Sequence, residues 1–224
     1  EPEIPRLPRP FEDEHSLSAG PVRVPEVPLS DVDILSLDIF DTCLRRISGE
    51  PGTVFEMLER EMATSGQPCG GFAGKRIEAE NRLRKRLQES GEREDVRLGD
   101  IYDELADWLG WETAVRRRWE SREKALEEAL VGAVEPVRKL AHRAREANIP
   151  VIYVSEMYLP AEVLEVMLKE AGFPVAADSV FASGTVGLSK GSGRLYEWVR
   201  DRFAGKKILH LGDNPETDAG IPDR

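Results

Sequence analysis

Several features that define other protein classes are scarce in this sequence of 224 residues. Its two cysteines, Cys43 and Cys69, are too few for a disulfide framework, and we expect both to be reduced thiols. No hydrophobic run is long enough to cross a bilayer, and the N-terminal residues lack the apolar core of a signal peptide. These absences predict a cytoplasmic protein without a membrane span.

Basic residues are also in short supply. The 31 Lys and Arg residues are outnumbered by 42 Asp and Glu residues, which gives a formal net charge of −11. Proteins that bind nucleic acids present a basic face to the phosphate backbone. The charge balance therefore argues against nucleic acid as a partner, and it directs attention to what the acidic residues do.

The chain divides into regions of different composition. Residues 1–30 contain seven prolines, which excludes helix and central strand and predicts an extended arm or linker. Residues 51–146 carry apolar residues at helical spacing with no convincing strand, which predicts an all-helical insert. Residues 31–50 and 147–224 show βα alternation, which predicts a doubly wound parallel sheet of the α/β class. Little sequence follows Asp218, so we expect this core to be incomplete at its C-terminal end.

Two apolar runs of this core end in acidic residues. Residues 34–37 lead into Asp38, and residues 208–211 lead through a glycine into Asp213. Such runs are typical of strands buried in a parallel sheet, and open α/β sheets bind ligands at the carboxyl ends of their strands. Two carboxylates about 4 Å apart repel by about 4 kcal/mol at an effective dielectric of about 20, so a cluster of acids here needs a cation. Oxygen-only ligands favour Mg²⁺.

Four segments, in this order, resemble the four motifs of the haloacid dehalogenase (HAD) superfamily. They are Asp38-Ile39-Phe40-Asp41-Thr42, Val151-Ile152-Tyr153-Val154-Ser155, Leu188-Ser189-Lys190-Gly191 and Gly212-Asp213-Asn214-Pro215-Glu216-Thr217-Asp218. One such motif is a weak signal, whereas four in order on matching elements are specific, and the resemblance covers roughly residues 33–220. Residues 155–160 are similar to a HAD subgroup that is often attached to glycosyltransferases. The helical insert resembles the cap domain of the family.

The resemblance implies a HAD-like, Rossmann-like fold with an inserted helical cap. It also implies Mg²⁺-dependent hydrolysis of a small phosphorylated metabolite, such as a sugar phosphate, and a fused or partner enzyme of the glycosyltransferase type. Asp38 would be the nucleophile that forms an aspartyl phosphate, Ser155 would bind a phosphoryl oxygen, and Lys190 would oppose the negative charge of the phosphate. The resemblance implies Asp38, the backbone carbonyl of Phe40 and Asp213 as metal ligands. Asn214 and Asp218 are implied at the metal as residues that orient its ligands or metal-bound water.

One position departs from the family pattern. HAD phosphatases usually carry a second Asp two residues after the nucleophile as general acid/base, and Phe40 stands there in this chain. Without that group, hydrolysis of the phosphoenzyme would slow by about 10²- to 10⁴-fold. Asp41, one place later, is the candidate replacement. Thr42 is predicted to fix the turn beside the substrate. Glu156 and Tyr158 are predicted to reach the substrate, with local structural use as the alternative.

Phe40 therefore leaves two alternatives to a phosphohydrolase open. The first is a catalytically weak or inactive HAD-like domain that serves as an interaction module beside a partner enzyme, with the Pro-rich arm as its tether. The second is phosphoryl transfer to an acceptor other than water. Dehalogenation is disfavoured, because HAD dehalogenases need no magnesium-binding acid at the fourth motif, whereas Asp213 and Asp218 are both present.

Overall fold

The computed structural model describes residues 29–47, 49–67 and 69–219, so nearly all of the predicted arm, residues 1–30, lies outside it. The strands are β1 (Ile34–Leu37), β2 (Leu44–Arg46), β3 (Val131–Ala133), β4 (Val151–Ser155), β5 (Val180–Ala182) and β6 (Ile208–Leu211). The helices are α1 (Gly52–Thr64), α2 (Phe72–Ser90), α3 (Leu98–Leu109), α4 (Thr113–Ala129), α5 (Glu135–Glu146), α6 (Ala161–Glu170), α7 (Ser183–Val186) and α8 (Arg194–Arg202). A π-helical turn at Pro215–Ala219 follows β6.

The central sheet is parallel and has the strand order β5-β4-β1-β6. Leu37 at the end of β1 lies opposite Tyr153 on one side and Leu211 on the other. This register brings the carboxyl ends of three strands to one edge of the sheet. The acids that follow β1 and β6 therefore start from neighbouring positions, although they are far apart in sequence.

Both faces of the sheet are covered, and the strand residues alternate between them. Leu35 and Leu37 belong to the main core, together with apolar residues of α5 and α6. Ile34 and Ile152 belong to a second cluster, which Leu195 of α8 completes from the opposite face. Helices on both faces of a parallel sheet confirm the predicted doubly wound α/β fold.

The helical cap consists of α1 to α4, which contact one another as α1 with α2, α2 with α3, α3 with α4 and α4 with α1. Its interior includes the fully buried Leu58, Phe72 and Tyr102, with Trp119 nearly so. None of the helices in the described ranges combines the length and the apolar character needed to cross a membrane.

A short antiparallel ribbon connects the cap to the core. Leu44 of β2 pairs with Ala133 of β3, and Val134 N donates to the Cys43 carbonyl at 2.8 Å. The expectation of no strand between about residues 50 and 146 is therefore wrong at β3, which has only three residues and owes its extended form to pairing with β2. Helix α5, which follows directly, packs on β4 and belongs to the core. The predicted insert, residues 51–146, thus includes one core helix, and the cap helices span residues 52–129.

The cap is also fastened to the core by the docking loop, which we define as residues 91–97 between α2 and α3. Glu94 N donates to the Gly187 carbonyl at 2.9 Å, and Asp95 accepts a hydrogen bond of 2.5 Å from Ser183 Oγ. Just after the loop, Leu98 N donates to the Tyr158 carbonyl at 3.0 Å. The docking loop therefore contacts the core segment that follows β5, and the first residue of α3 contacts the segment that follows β4.

Gly184 lies where the docking loop meets the core, and we expect Gly184→Ala to lower the free energy of unfolding by about 1–3 kcal/mol. An added Cβ would lie 2.7 Å from the Val96 carbonyl oxygen and 2.8 Å from that of Met157, and neither backbone atom can rotate away. Gly74→Ala, in helix α2 with no atom within 4 Å, is the matched control and should instead add about 0.4–1 kcal/mol. Urea denaturation compares them, and equal effects would contradict the close approach at Gly184.

Candidate active site

Three of the predicted catalytic residues lie at the carboxyl edge of the sheet. Asp38 follows β1, Ser155 ends β4, Lys190 lies in the loop before α8, and all three are buried. Lys190 Nζ donates to Asp38 Oδ1 at 2.5 Å and to Asp218 Oδ1 at 2.8 Å. A buried ammonium is costly unless it is paired, so these two carboxylates are the reason that Lys190 is stable here.

Asp218 is held by more partners than the sequence suggested. Its Oδ1 accepts a second hydrogen bond, of 2.8 Å, from the Tyr196 hydroxyl, and its Oδ2 accepts one of 3.1 Å from Asn214 N. The Asn214 side chain is engaged locally, since its Oδ1 accepts from Glu216 N at 3.0 Å. Both oxygens of Asp218 are therefore occupied, and Asn214 shapes the turn that presents Asp218 to Lys190.

The three acids of the site differ in how well their charge is compensated. Burial raises the pKa of Asp38 to about 6, although the Lys190 ammonium opposes the shift. Burial also raises the pKa of Asp213, and the negative charge of Asp41 adds to this effect. Burial acts in the same direction on Asp218, but hydrogen bonding by His210 and the charge of Lys190 hold its pKa well below the usual range. Asp38 and Asp213 are thus the carboxylates whose ionised forms gain most from a cation.

The donor set fits a hard divalent cation. Asp38, Asp213 and Asp218 each offer a carboxylate oxygen, and these atoms lie within 4.8 Å of one another. An all-oxygen set of this kind suits Mg²⁺. Because protein groups bind both oxygens of Asp218 and Lys190 binds only one of Asp38, the residues best placed to hold the ion are Asp38 and Asp213. Thr42 Oγ1 steadies Asp213 through a 3.3 Å hydrogen bond to its Oδ1.

The segment after Asp38 leaves the strand at once. Asp41 has a φ of +60°, a conformation that Asp tolerates better than most residues, and its N–H donates to the Leu44 carbonyl at 2.7 Å. Its carboxylate is exposed and close enough to raise the pKa of Asp213. The Phe40 ring is covered by the Arg46 guanidinium, whose carbon lies 4.1 Å from the ring centroid. Asp41, rather than Phe40, is therefore the position that brings an extra carboxylate toward the acidic cluster.

A cleft of about 390 Å³ lies between the cap and the core beside this segment. Its lining includes Phe40, Arg46, Phe55, Asn81, Arg84 and Glu156. A lining that mixes aromatic rings with a few polar groups is typical of sites for small organic molecules. Phe40 of the predicted first motif and Glu156, which follows the second, both line the cleft, so it lies next to these two motifs in the structure.

The two residues predicted to reach the substrate from the second motif differ in their surroundings. Glu156 borders the cleft, and its Oε2 accepts hydrogen bonds from Lys190 N at 3.0 Å and Gly191 N at 3.1 Å. Tyr158 is buried, and its hydroxyl donates to Glu127 of the cap at 3.3 Å. Glu156 therefore lies at both the cleft and the Lys190 loop, whereas the Tyr158 hydroxyl is engaged by the cap.

Sequence reasoning missed two participants. Tyr196, which binds Asp218, also lies with its hydroxyl 3.1 Å from His210 Nε2, and His210 Nδ1 lies 2.8 Å from Ser36 Oγ. Glu94, in the docking loop, binds the loop that carries Lys190. Tyr196 lies only six residues after Lys190 of the third motif, and this closeness in sequence could have indicated it. No sequence pattern in the helical insert distinguishes Glu94 from the other acids there.

No protein-family profile and no curated protein matches this sequence. Solved structures do match. A 2-haloacid dehalogenase from Pseudomonas syringae has a TM-score of 0.58 at 14% identity, over 86% of this chain and 82% of that one. A candidate HAD-hydrolase from Bacillus subtilis, YfnB, bound to magnesium, has a TM-score of 0.52 at 15% identity, over 86% and 84%. The L-2-haloacid dehalogenase of Xanthobacter autotrophicus with chloropropionic acid covalently bound has a TM-score of 0.51 at 11% identity, over 83% and 71%. The chain therefore has the HAD-like fold.

Proposed function

We propose that this protein is a cytoplasmic, Mg²⁺-dependent phosphohydrolase that acts on a small phosphorylated metabolite, such as a sugar phosphate, through an aspartyl phosphate on Asp38. One observation carries the proposal. Asp38 is buried at the carboxyl end of the central strand β1, 2.5 Å from the Lys190 ammonium, with the carboxylates of Asp213 and Asp218 beside it. This arrangement supports the roles of Asp38 as a nucleophile, of Lys190 as the neighbouring cation and of Asp213 as a metal ligand.

Each group has a chemical task in this proposal. The Asp38 carboxylate attacks phosphorus, the bond to the leaving oxygen breaks, and water then releases phosphate from Asp38. Lys190 offsets the charge of the incoming phosphate, and Ser155, at the end of the adjacent strand, binds a phosphoryl oxygen. Asp41 is the residue proposed to move a proton at the leaving oxygen and at the attacking water. A bound Mg²⁺ supplies neutralisation of charge on the transferred group.

The acidic cluster supports phosphoryl transfer over dehalogenation. The negative charge of Asp213 raises the electrostatic cost of ionised Asp38. Lys190 compensates Asp38 and Asp218 but makes no hydrogen bond to Asp213 in the described part of the chain, so a reaction without a metal leaves Asp213 without a cation. A phosphoester brings further negative charge and needs a divalent cation to be bound there. The dehalogenase structures share their fold with this chain, but a shared fold does not determine which reaction is catalysed.

We expect phosphate release from a panel of phosphoesters to require Mg²⁺ and to stop when EDTA removes the metal. Asp213→Asn should weaken Mg²⁺ binding by about 10-fold or more, because it removes a charged ligand. Glu216→Gln is the matched control, since Glu216 is an exposed acid in the same turn and should leave binding unchanged. Calorimetry measures the affinity and a phosphate assay the turnover. Chloride release from a 2-haloacid without phosphate release from any ester would refute the proposal.

Phosphoryl transfer to an acceptor other than water is the second candidate, and Phe40 is the observation that favours it. With no carboxylate at that position, water is activated poorly, and the phosphorylated enzyme would persist until an acceptor arrives. Chemical quench and intact-mass measurement distinguish the two. A phosphoenzyme that decays rapidly in buffer supports hydrolysis, whereas one that decays only with an added alcohol supports transfer.

The non-catalytic alternative makes a different prediction. An inactive interaction domain would form no phosphoenzyme and would not bind beryllofluoride at Asp38. We propose the partner in either case to be a fused or separate enzyme of the glycosyltransferase type. This part of the proposal rests only on the resemblance of residues 155–160.

A further inference from the structure

The loop that carries Lys190 is held by carboxylates on its backbone. Ser189 N donates to Glu94 Oε2 at 2.8 Å. Lys190 N and Gly191 N both donate to Glu156 Oε2, at 3.0 and 3.1 Å. Two glutamates therefore bind three successive amides, and the middle one belongs to Lys190, whose side chain bridges Asp38 and Asp218.

The two glutamates come from different parts of the molecule. Glu156 follows β4 in the core, whereas Glu94 belongs to the docking loop of the cap. Glu94 also accepts hydrogen bonds from Ser192 Oγ at 2.7 Å and from the Arg194 guanidinium at 2.8 Å. Although partial burial opposes the shift, these hydrogen bonds, with that of Ser189, hold the pKa of Glu94 below its usual value. Glu94 is therefore a well-satisfied carboxylate, fixed through its own N–H to the core at Gly187.

We propose that Glu94 is a positioning residue for Lys190. Through Glu94, the cap holds the Lys190 ammonium in the position that catalysis requires. The inference deepens the proposed function and rests on it for its catalytic consequence. Lys190 Nζ must lie between two carboxylates, and its backbone is held on one side by the cap. A misplacement of about 1 Å costs on the order of 10²-fold in rate. Loss of the Glu94 contacts releases Ser189 and lets the Lys190 loop shift away from Asp38.

A merely local role for Glu94 predicts something different. Helix α8 begins at Arg194, after Gly193, so the Ser189 amide lies outside the helix and Glu94 does more than cap it. If Glu94 only stabilised the loop, its loss would lower the free energy of unfolding without changing the environment of the Lys190 ammonium. The two roles are therefore separated by a measurement on Lys190 itself.

The experiment compares Glu94→Ala with Glu94→Gln and with the control Glu92→Ala. Ala removes every acceptor, Gln keeps one oxygen for the Ser189 N–H, and Glu92 is an exposed acid in the same docking loop. The first readout is the rate at which an acetylating reagent modifies Lys190, measured by mass spectrometry on the metal-free protein. The second is kcat and KM for phosphate release. Glu94 is partly exposed, so each variant is expected to fold.

We expect Glu94→Ala to acetylate Lys190 at least about 10-fold faster than the wild-type protein and to lower kcat by about 10-fold or more with KM within about 2-fold. Glu94→Gln should recover most of both, and Glu92→Ala should match the wild type. Unchanged Lys190 protection in Glu94→Ala overturns the inference, as does faster modification with unchanged kcat. If the wild type releases no phosphate, the proposed hydrolysis fails, and the acetylation rates alone decide whether Glu94 positions Lys190.

Discussion

Replacing Asp38 by Asn is expected to lower phosphate release by at least about 10⁴-fold while the protein stays folded. The amide is nearly isosteric but cannot attack phosphorus to form the aspartyl phosphate, and Lys190 keeps its hydrogen bond to Asp218. Asp201→Asn, an exposed acid in α8, is the matched control and should leave the rate unchanged. Steady-state phosphate assays and circular dichroism measure the two effects. Turnover that survives in Asp38→Asn at the wild-type rate would rule out Asp38 as the nucleophile.

The same variant has a stability consequence of defined sign. The pKa of Asp38 is raised from 3.8 to about 6 in the fold, so the ionised form destabilises the metal-free protein above about pH 6, and this cost disappears as the pH falls toward 4. In EDTA at pH 8, Asp38→Asn should therefore be more stable than the wild type, by up to about 3 kcal/mol. The difference should shrink below pH 6. Denaturant titrations at several pH values measure it, and a variant that is less stable at every pH would contradict the assigned shift.

Replacing Arg76 by Met is expected to cost about 3–5 kcal/mol of unfolding free energy, because it leaves a buried carboxylate without its partner. The side chains of Arg76 and Glu123 are both fully buried. Arg76 Nη2 and Nε donate to Glu123 at 2.8 and 3.0 Å, and Nη1 donates to Glu80 at 2.8 Å. Tyr102 then remains as the only partner described here for the Glu123 carboxylate, through a hydrogen bond of 2.8 Å.

Arg82→Met is the control, on the same helix. Arg82 pairs with Glu78 at 2.6 Å, but both side chains are about half exposed, so the loss should be below about 1 kcal/mol. The double replacement of Arg76 and Glu123 by Met should recover much of the loss, because it removes both charges. Chemical denaturation with all three variants measures the difference. Equal stabilities of the Arg76 and Arg82 variants would show that the buried pair does not stabilise the cap.

The fold was predictable from the sequence because the strands of the central sheet coincide with short apolar runs. Residues 34–37 and 151–155 are buried on both faces, and that environment excludes the polar alternation that makes strands hard to recognise. The sheet order then brings Asp38, Ser155 and Asp213 to one edge, as expected of parallel strands. The confirmed α/β fold therefore follows from local composition and a general rule of topology.

The rest depends on contacts that no local pattern encodes. Strand β3 has three residues, and only its partner β2 makes it extended. Asp218 was expected beside a metal, and the structure places it within the acidic cluster, but its hydrogen bonds to Lys190 and Tyr196 could not be read from the sequence. Glu94 lies in a stretch rich in charged residues, so its position in the sequence does not indicate a special role. Its hydrogen bond with Ser189 forms only because the docking loop packs against the core. Such three-dimensional coincidences require the assembled structure.

The central place of β1 in the sheet also bears on how the protein is made. Its neighbours, β4 and β6, come late in the chain, and Ser36 lies beside His210, 174 positions further along. During synthesis, both edges of β1 therefore stay unpaired until its partner strands have been made. The cap helices make local contacts, so they can fold before β1 is paired. We expect the nascent chain to expose an aggregation-prone strand edge until β4 and then β6 have emerged, and to depend on chaperones during that interval. The acidic site combines Asp38, which follows β1, with Asp213 and Asp218, which follow β6. It is therefore completed only when β6 pairs with β1.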